Sequence, residues 1–189
     1  MACIGKIAAN LAMPCGAPAQ ADLGRPVSAK LINASNIASF TVTELEGAKI
    51  TMIPGTRGYD ITTVNNALVV TVGLKSQDIM PGAYDVSITF KSFSGAGYIT
   101  SSGAPMGIVG PTARAELVIA VDHGDVVRVY GLGAPLVCTE LSGDSSASAY
   151  VTYTFGVEDW QVGTTVHDMS RADYDALSTP AVAPVAPGT

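Results

Sequence analysis

His123 and His167 are the only imidazoles in the chain, and each has an aspartate beside it, Asp122 before His123 and Asp168 after His167. An imidazole steered by a carboxylate is the base of a nucleophilic triad, but that role is set by geometry in space and not by adjacent positions. His123 stands in Asp122-His123-Gly124-Asp125, where a polar residue beside glycine reads as a bend, and His167 is given an equally structural reading. A Gly-x-Ser-x-Gly nucleophile elbow is missing, as are the phosphate-binding loop, the His-Glu-x-x-His helix and the calcium-binding loop. Gly95-Ala96-Gly97 and Gly131-Leu132-Gly133 lack the third glycine of a dinucleotide site and read as turns.

Carboxylates and thiols give the same answer. Glu44 with Glu46, or Glu158 with Asp159, has the residue types of a glycosidase pair, yet that chemistry comes with an aromatic-rich groove. Here aromatic residues are 6% of the chain, with a single tryptophan, Trp160. The same scarcity argues against stacking sugars or single-stranded nucleic acid. Cys3, Cys15 and Cys138 are an odd number with no Cys-x-x-Cys, which fits reduced, packed thiols better than a disulfide framework or a zinc site. Asn33-Ala34-Ser35 fits a glycosylation acceptor triplet, a pattern common by chance. No catalytic, cofactor-binding or metal-ligating residue is therefore assigned, and the chain is expected not to be an enzyme.

The elements that carry these residues belong to an apolar, charge-poor chain. Hydrophobic residues make up 48% and charged residues 14% of 189, with mean hydropathy +0.34. That is enough to bury a core, and it is about half the charge usual for a soluble monomer. Much of the surface is expected to be covered, most simply by further copies of the chain. A membrane is not the cover, because no run approaches the ~20 apolar residues of a spanning helix. Met1 to Gln20 is small and apolar, but Pro14 and Gly16 interrupt it, so it is not read as a secretion signal. Residues 1–121 hold 8 basic against 7 acidic side chains, and residues 122–189 hold 2 against 9. The net of −6 thus lies in the last third, the opposite of the basic stripe that binds nucleic acid through phosphates.

A short apolar run at Val27 to Asn33, and alternation of β-branched and aromatic residues with small polar ones at Ser39 to Thr43 and Lys49 to Ile53, mark strands. Asp60 to Val64 and Ala67 to Leu74 read as a hairpin about Asn65-Asn66. Tyr84 to Phe90 is the clearest strand, with Tyr84, Val86, Ile88 and Phe90 on one face. Further strands are expected at Val126 to Tyr130, Leu136 to Leu141 and Tyr150 to Phe155. Pro111 to Asp122 reads as a helix, since proline opens it, Ala113, Leu117 and Val121 share a face, and Gly124 closes it. Ser170 to Leu177 has the cap pattern of a two-turn helix, with Ser170 as cap and Asp173 at the third position. The expected fold is mainly β: an antiparallel sandwich or barrel with one flanking α-helix. It divides into an N-terminal arm over 1–26, a single domain over 27–177 with a Gly/Ser-rich loop at 92–110, and an extended Pro/Ala tail over 178–189.

The order of pieces resembles a known family. Met1-Ala2-Cys3-Ile4-Gly5-Lys6-Ile7, Cys15, and Lys30-Leu31-Ile32-Asn33 with Asn36-Ile37 are similar to the opening of tail tube and related virion proteins of long-tailed bacteriophages. Tyr84 to Phe90 looks like that family's central strand. Ala113 to Val121, followed by Gly124-Asp125-Val126-Val127-Arg128-Val129-Tyr130-Gly131-Leu132, looks like its helix, strand and glycine turn. The resemblance covers residues 1 to 155. It implies a β-sandwich or barrel subunit that assembles into rings, typically hexameric, stacked as a hollow tube in the phage tail. The chain would be made in the host cytoplasm and its partners would be further copies, other tail or virion proteins, and DNA in transient, non-specific passage. Another virion role (neck, capsid decoration or baseplate) and a non-catalytic β-sandwich binding module are the competing readings.

Overall fold

The computed structural model describes residues 26–44, 46–61, 67–74, 84–93, 115–144, 150–157 and 163–182. Within them the chain forms β1 (Ser28–Asn33), a single 3-10 turn (Ala34–Asn36), β2 (Ile37–Thr43), β3 (Gly47–Met52), β4 (Tyr59–Ile61), β5 (Leu68–Leu74) and β6 (Tyr84–Phe93). There follow β7 (Leu117–Asp122), β8 (Val127–Tyr130), β9 (Val137–Asp144), β10 (Tyr150–Gly156), β11 (Val166–Met169) and α1 (Arg171–Ala176). One sheet has seven strands in the order β2-β3-β11-β8-β7-β1-β4, the other four in the order β5-β6-β10-β9. Every strand pairing among the described residues is antiparallel. The mainly β, two-sheet architecture with one short flanking helix is the expected one.

Two cores hold it together. The first lies between the sheets, where Leu31, Leu117, Ile119 and Val121 meet Val86, Ile88, Phe90, Tyr153 and Phe155. Cross-strand partners Phe90 and Tyr153 stack with ring centroids 5.1 Å apart, and Phe155 lies 5.9 Å from Phe90. The alternation read at Tyr84 to Phe90 is the inward face of this layer, and the strand runs on to Phe93. The second core lies on the opposite face of the seven-stranded sheet. There Ile32, Ala48, Val118, Ala120, Val129 and Met169 are covered by Tyr174 and Leu177.

Four expectations are corrected. The helix placed over Pro111 to Asp122 is, from Leu117 on, the strand β7; residues 111–114 lie outside the described residues. Its six residues are all buried, Leu117, Ile119 and Val121 in the first core and Val118 and Ala120 in the second. A strand packed on both faces is apolar throughout, so the period-2 signal vanishes and spurious helical spacing remains. The helix is instead α1, where the Ser170 side chain accepts from the Asp173 amide at 3.1 Å, as its cap pattern predicted. The hairpin about Asn65-Asn66 is not formed. β4 pairs with β1 in the larger sheet and β5 with β6 in the smaller, so the two strands belong to different sheets; residues 62–66 lie outside the described residues.

Third, the loop read from 92 begins later, since Ser92 and Phe93 belong to β6; residues 94–110 lie outside the described residues. Fourth, the tail is not free from 178 on. Ala181 exchanges two backbone hydrogen bonds with the turn after β3, donating to Thr56 at 3.0 Å and accepting from Gly55 at 2.9 Å. Residues 183–189 and the arm through residue 25 lie outside the described residues. β11 was not anticipated at all. It is four residues long, with Met169 buried and its other residues half-buried or exposed, which gives almost no periodic signal.

Candidate functional site

β2 leaves β1 through one 3-10 turn and becomes the terminal strand of the larger sheet, paired on one side with β3 only. Its far side therefore has no strand partner among the described residues. Alternation along Phe40-Thr41-Val42-Thr43 puts Phe40 and Val42 on one face, across from Ile50 and Ala48 of β3. Both are large and open to solvent, Phe40 at 42% and Val42 at 43%. Beside them lies an open groove of about 450 Å3 lined by Ile37, Phe40, Val118, Leu132 and Pro135.

The groove floor depends on the Gly131-Leu132-Gly133 turn. Gly131 has φ +92°, and a Cβ there would meet the Leu117 carbonyl oxygen at 3.0 Å. Gly133, with φ +78°, lies against the Phe40 ring. The reading of this glycine pair as a turn holds. The smaller sheet has an apolar edge of its own, where Val69 (55%) and Val72 (43%) of the terminal strand β5 are exposed.

The sequence's acid–base candidates have other occupations. His123 occupies the bend between β7 and β8, its amide donating to the Val126 carbonyl at 2.9 Å and its Nε2 lying 3.2 Å from the Tyr130 hydroxyl. Burial, and then the nearby Arg128 charge, pushes its pKa below the ordinary histidine value. The Asp122 carboxylate pairs with Arg171 through both oxygens, with Oδ1 2.8 Å from Arg171 Nη2, and accepts the Gly124 amide at 2.7 Å. Burial pushes the Asp122 pKa up, but the Arg171 and Gly124 hydrogen bonds and the charges of Arg171 and His123 outweigh it and hold it below the usual value.

His167 lies opposite Val129 on β11, and Asp168 pairs with Arg128 at 3.4 Å. The two His-Asp neighbours therefore do not converge on one constellation. Glu44 and Glu46 flank the turn from β2 to β3, where the Glu46 amide donates to Thr43 Oγ1 at 3.1 Å. Cys138 is half-buried, donates to the Glu140 carbonyl at 3.3 Å, and has its thiol pKa raised by burial. Asn33 of the acceptor triplet is only 2% exposed. Cys3, Cys15, Gly95-Ala96-Gly97, Glu158, Asp159 and Trp160 lie outside the described residues.

A polar cluster that spacing did not reveal lies under α1. Lys30 of β1, its side chain 7% exposed, reaches Asp60 of β4 at 3.0 Å, donates to Ser178, and lies 4.6 Å from the Tyr174 ring centroid. Ser178 donates in turn to Asp60, 2.9 Å from Oδ2. The Tyr174 hydroxyl is 2.9 Å from Ser28 Oγ, and burial raises the phenol pKa to about 12. Lys30 alternates out of phase with Ala29 and Leu31, the only hint the sequence carries. Among the described residues no group of three His, Cys, Asp or Glu side chains is placed to hold a metal ion, and no helix is long and apolar enough to cross a membrane.

Comparison of the chain with family models, with curated proteins and with solved structures finds no match.

Proposed function

We propose that this chain is a structural virion protein whose copies form stacked rings of a phage tail tube through which DNA passes. The observation that carries the reading is the open edge of β2, with Phe40 and Val42 exposed beside an apolar groove. An unpaired strand edge with apolar side chains is a template for further pairing, and a lone soluble domain normally blunts it with charge, proline or a covering loop. The smaller sheet's terminal strand β5 has no second partner among the described residues either, so of the four terminal strands β2, β4, β5 and β9 at least two offer different apolar edges. Two different patches joined head to tail generate rings when the rotation closes. The low charge content fits a surface largely covered by copies of itself.

The resemblance supplies the tail, less the helix expected over Ala113 to Val121, which is strand β7 from Leu117 on; the open edges supply the reason to assemble. The acidic last third bears on passage of DNA, since carboxylates facing a channel would repel phosphates. Asp122 and Asp168 are already matched by Arg171 and Arg128, so that effect rests on other acids such as Asp125, Glu140 and Asp175. The apolar groove favours a second reading, a monomeric β-sandwich binding module. Negative-stain electron microscopy of the purified chain across a concentration series separates the two. Rings or tubes with a central channel are expected; monomers at every concentration would overturn the proposal.

A further inference from the structure

The segment over residues 170–182 stands apart from the rest of the domain in how it is held. Its apolar contribution to the second core is mainly Tyr174 and Leu177, both 4% exposed, and Ala181 packs at the margin. Everything else that fixes it is polar. At its start Arg171 pairs with Asp122 and donates to the Gly124 carbonyl at 2.7 Å. At its centre the Tyr174 hydroxyl meets Ser28. At its end Ser178 bridges Lys30 and Asp60, Leu177 accepts from the Gly58 amide at 2.7 Å, and Ala181 pairs with Gly55 and Thr56. The charged anchor is Arg171 on Asp122 of β7, whereas the Lys30–Asp60 pair lies within the sheet, between β1 and β4, and meets the segment through the Ser178 hydroxyl and the Tyr174 ring.

We infer that residues 170–182 form a latch over the second core, closed while the Asp122 carboxylate is ionised and released as one unit by acid, with both sheets still folded. The first core contains no residue of the segment, so the sandwich retains its main packing when the latch leaves. Local opening of this kind follows units with few apolar contacts. Opening uncovers apolar residues of the second core such as Ile32 and Ala120.

The charged and titratable groups around the two carboxylates decide the direction. Asp122 faces Arg171 from α1 and His123 from the bend, with Tyr174 nearby and Asp175 on the far side of Arg171. Asp60 faces Lys30 from β1, with Ser178 and Tyr174 from the latch. Protonating Asp122 leaves the Arg171 guanidinium of the latch without its counter-charge and weakens the paired hydrogen bonds that tie the latch to β7. The Arg171 bonds hold Asp122 below the ordinary aspartate value, so release belongs below about pH 4.

Amide hydrogen exchange of the full chain, followed from pH 7 to pH 3 and corrected for intrinsic rates, tests this. On acidification peptides covering 170–182 should exchange at least about tenfold faster while β6 and β10 keep their protection. The Asp122→Asn variant should show the open latch already at pH 7. Loss of latch and sheet protection together, or latch protection that does not change with pH, would overturn the inference. Should the variant fail to fold, the wild-type pH series alone decides.

Discussion

Lys30 shows how one residue places a constraint on three elements. A buried ammonium is tolerated because Asp60, Ser178 and the Tyr174 ring surround it, and the three come from β4, the segment after α1, and α1 itself. Removing the anion leaves the cation buried and uncompensated, whereas removing the cation leaves Asp60, 47% exposed, to water. Asp60→Ala is therefore expected to cost about 3 kcal/mol, and Lys30→Met, of similar length and no charge, well under half of that. Urea denaturation midpoints of the two variants check the asymmetry. His123 makes the second prediction at this scale. Its folded pKa lies below the unfolded value near 6.5, so the unfolded chain binds the extra proton first. Its contribution to stability is present above about pH 6.5 and is lost as pH falls through the folded value. His123→Gln should flatten the stability profile just below about pH 6.5, and an unchanged slope there would count against this account of the bend.

At the scale of elements, the junction of β2, β3 and β11 rests on one glycine. Gly47 opens β3 with φ +75°, pairs with Met169, and leaves so little room that a Cβ would sit 2.3 Å from the Asp168 carbonyl oxygen. Gly55 has a similar φ of +80° but nothing within 4 Å. Comparing the two separates backbone strain from collision. Gly55→Ala should cost about 1 kcal/mol, the strain of the left-handed region alone, and Gly47→Ala about 3 kcal/mol, measured by thermal unfolding. Comparable losses would mean that β11 shifts to make room. Legibility from sequence follows the same logic. β6 and β10 were readable because one face is buried and the other wet, so alternation survives, and α1 was readable because its cap is local chemistry. β7 was not, because burial on both faces erases alternation. β4 and β5 read as partners because Asn65-Asn66 has the chemistry of a two-residue turn, and nothing in Asp60 to Leu74 records that the two strands belong to different sheets. The open groove was invisible for another reason: Ser39 to Thr43 announces a strand, but its place at the sheet edge depends on β3 and β11.

For the whole molecule, the proposed assembly turns on how the apolar edges at β2 and β5, on two different sheets, behave when many copies meet. If β2 of one copy pairs with β5 of the next, the interface is heterologous, and both edges are used only in a closed ring or a continuing chain of subunits. If each edge pairs with its own kind, two isologous interfaces result and blocking one leaves a dimer. Lysines on an edge strand block pairing while leaving the fold intact, because the positions are already exposed. A Phe40→Lys, Val42→Lys variant and a Val69→Lys, Val72→Lys variant should each be monomeric alone. Mixed in equal amounts they should give a heterodimer and nothing larger, since one keeps a sound β5 edge and the other a sound β2 edge. Analytical ultracentrifugation reads the result directly. Dimers of either variant alone would show that edges pair with their own kind, and would remove the head-to-tail geometry on which a ring of these subunits depends.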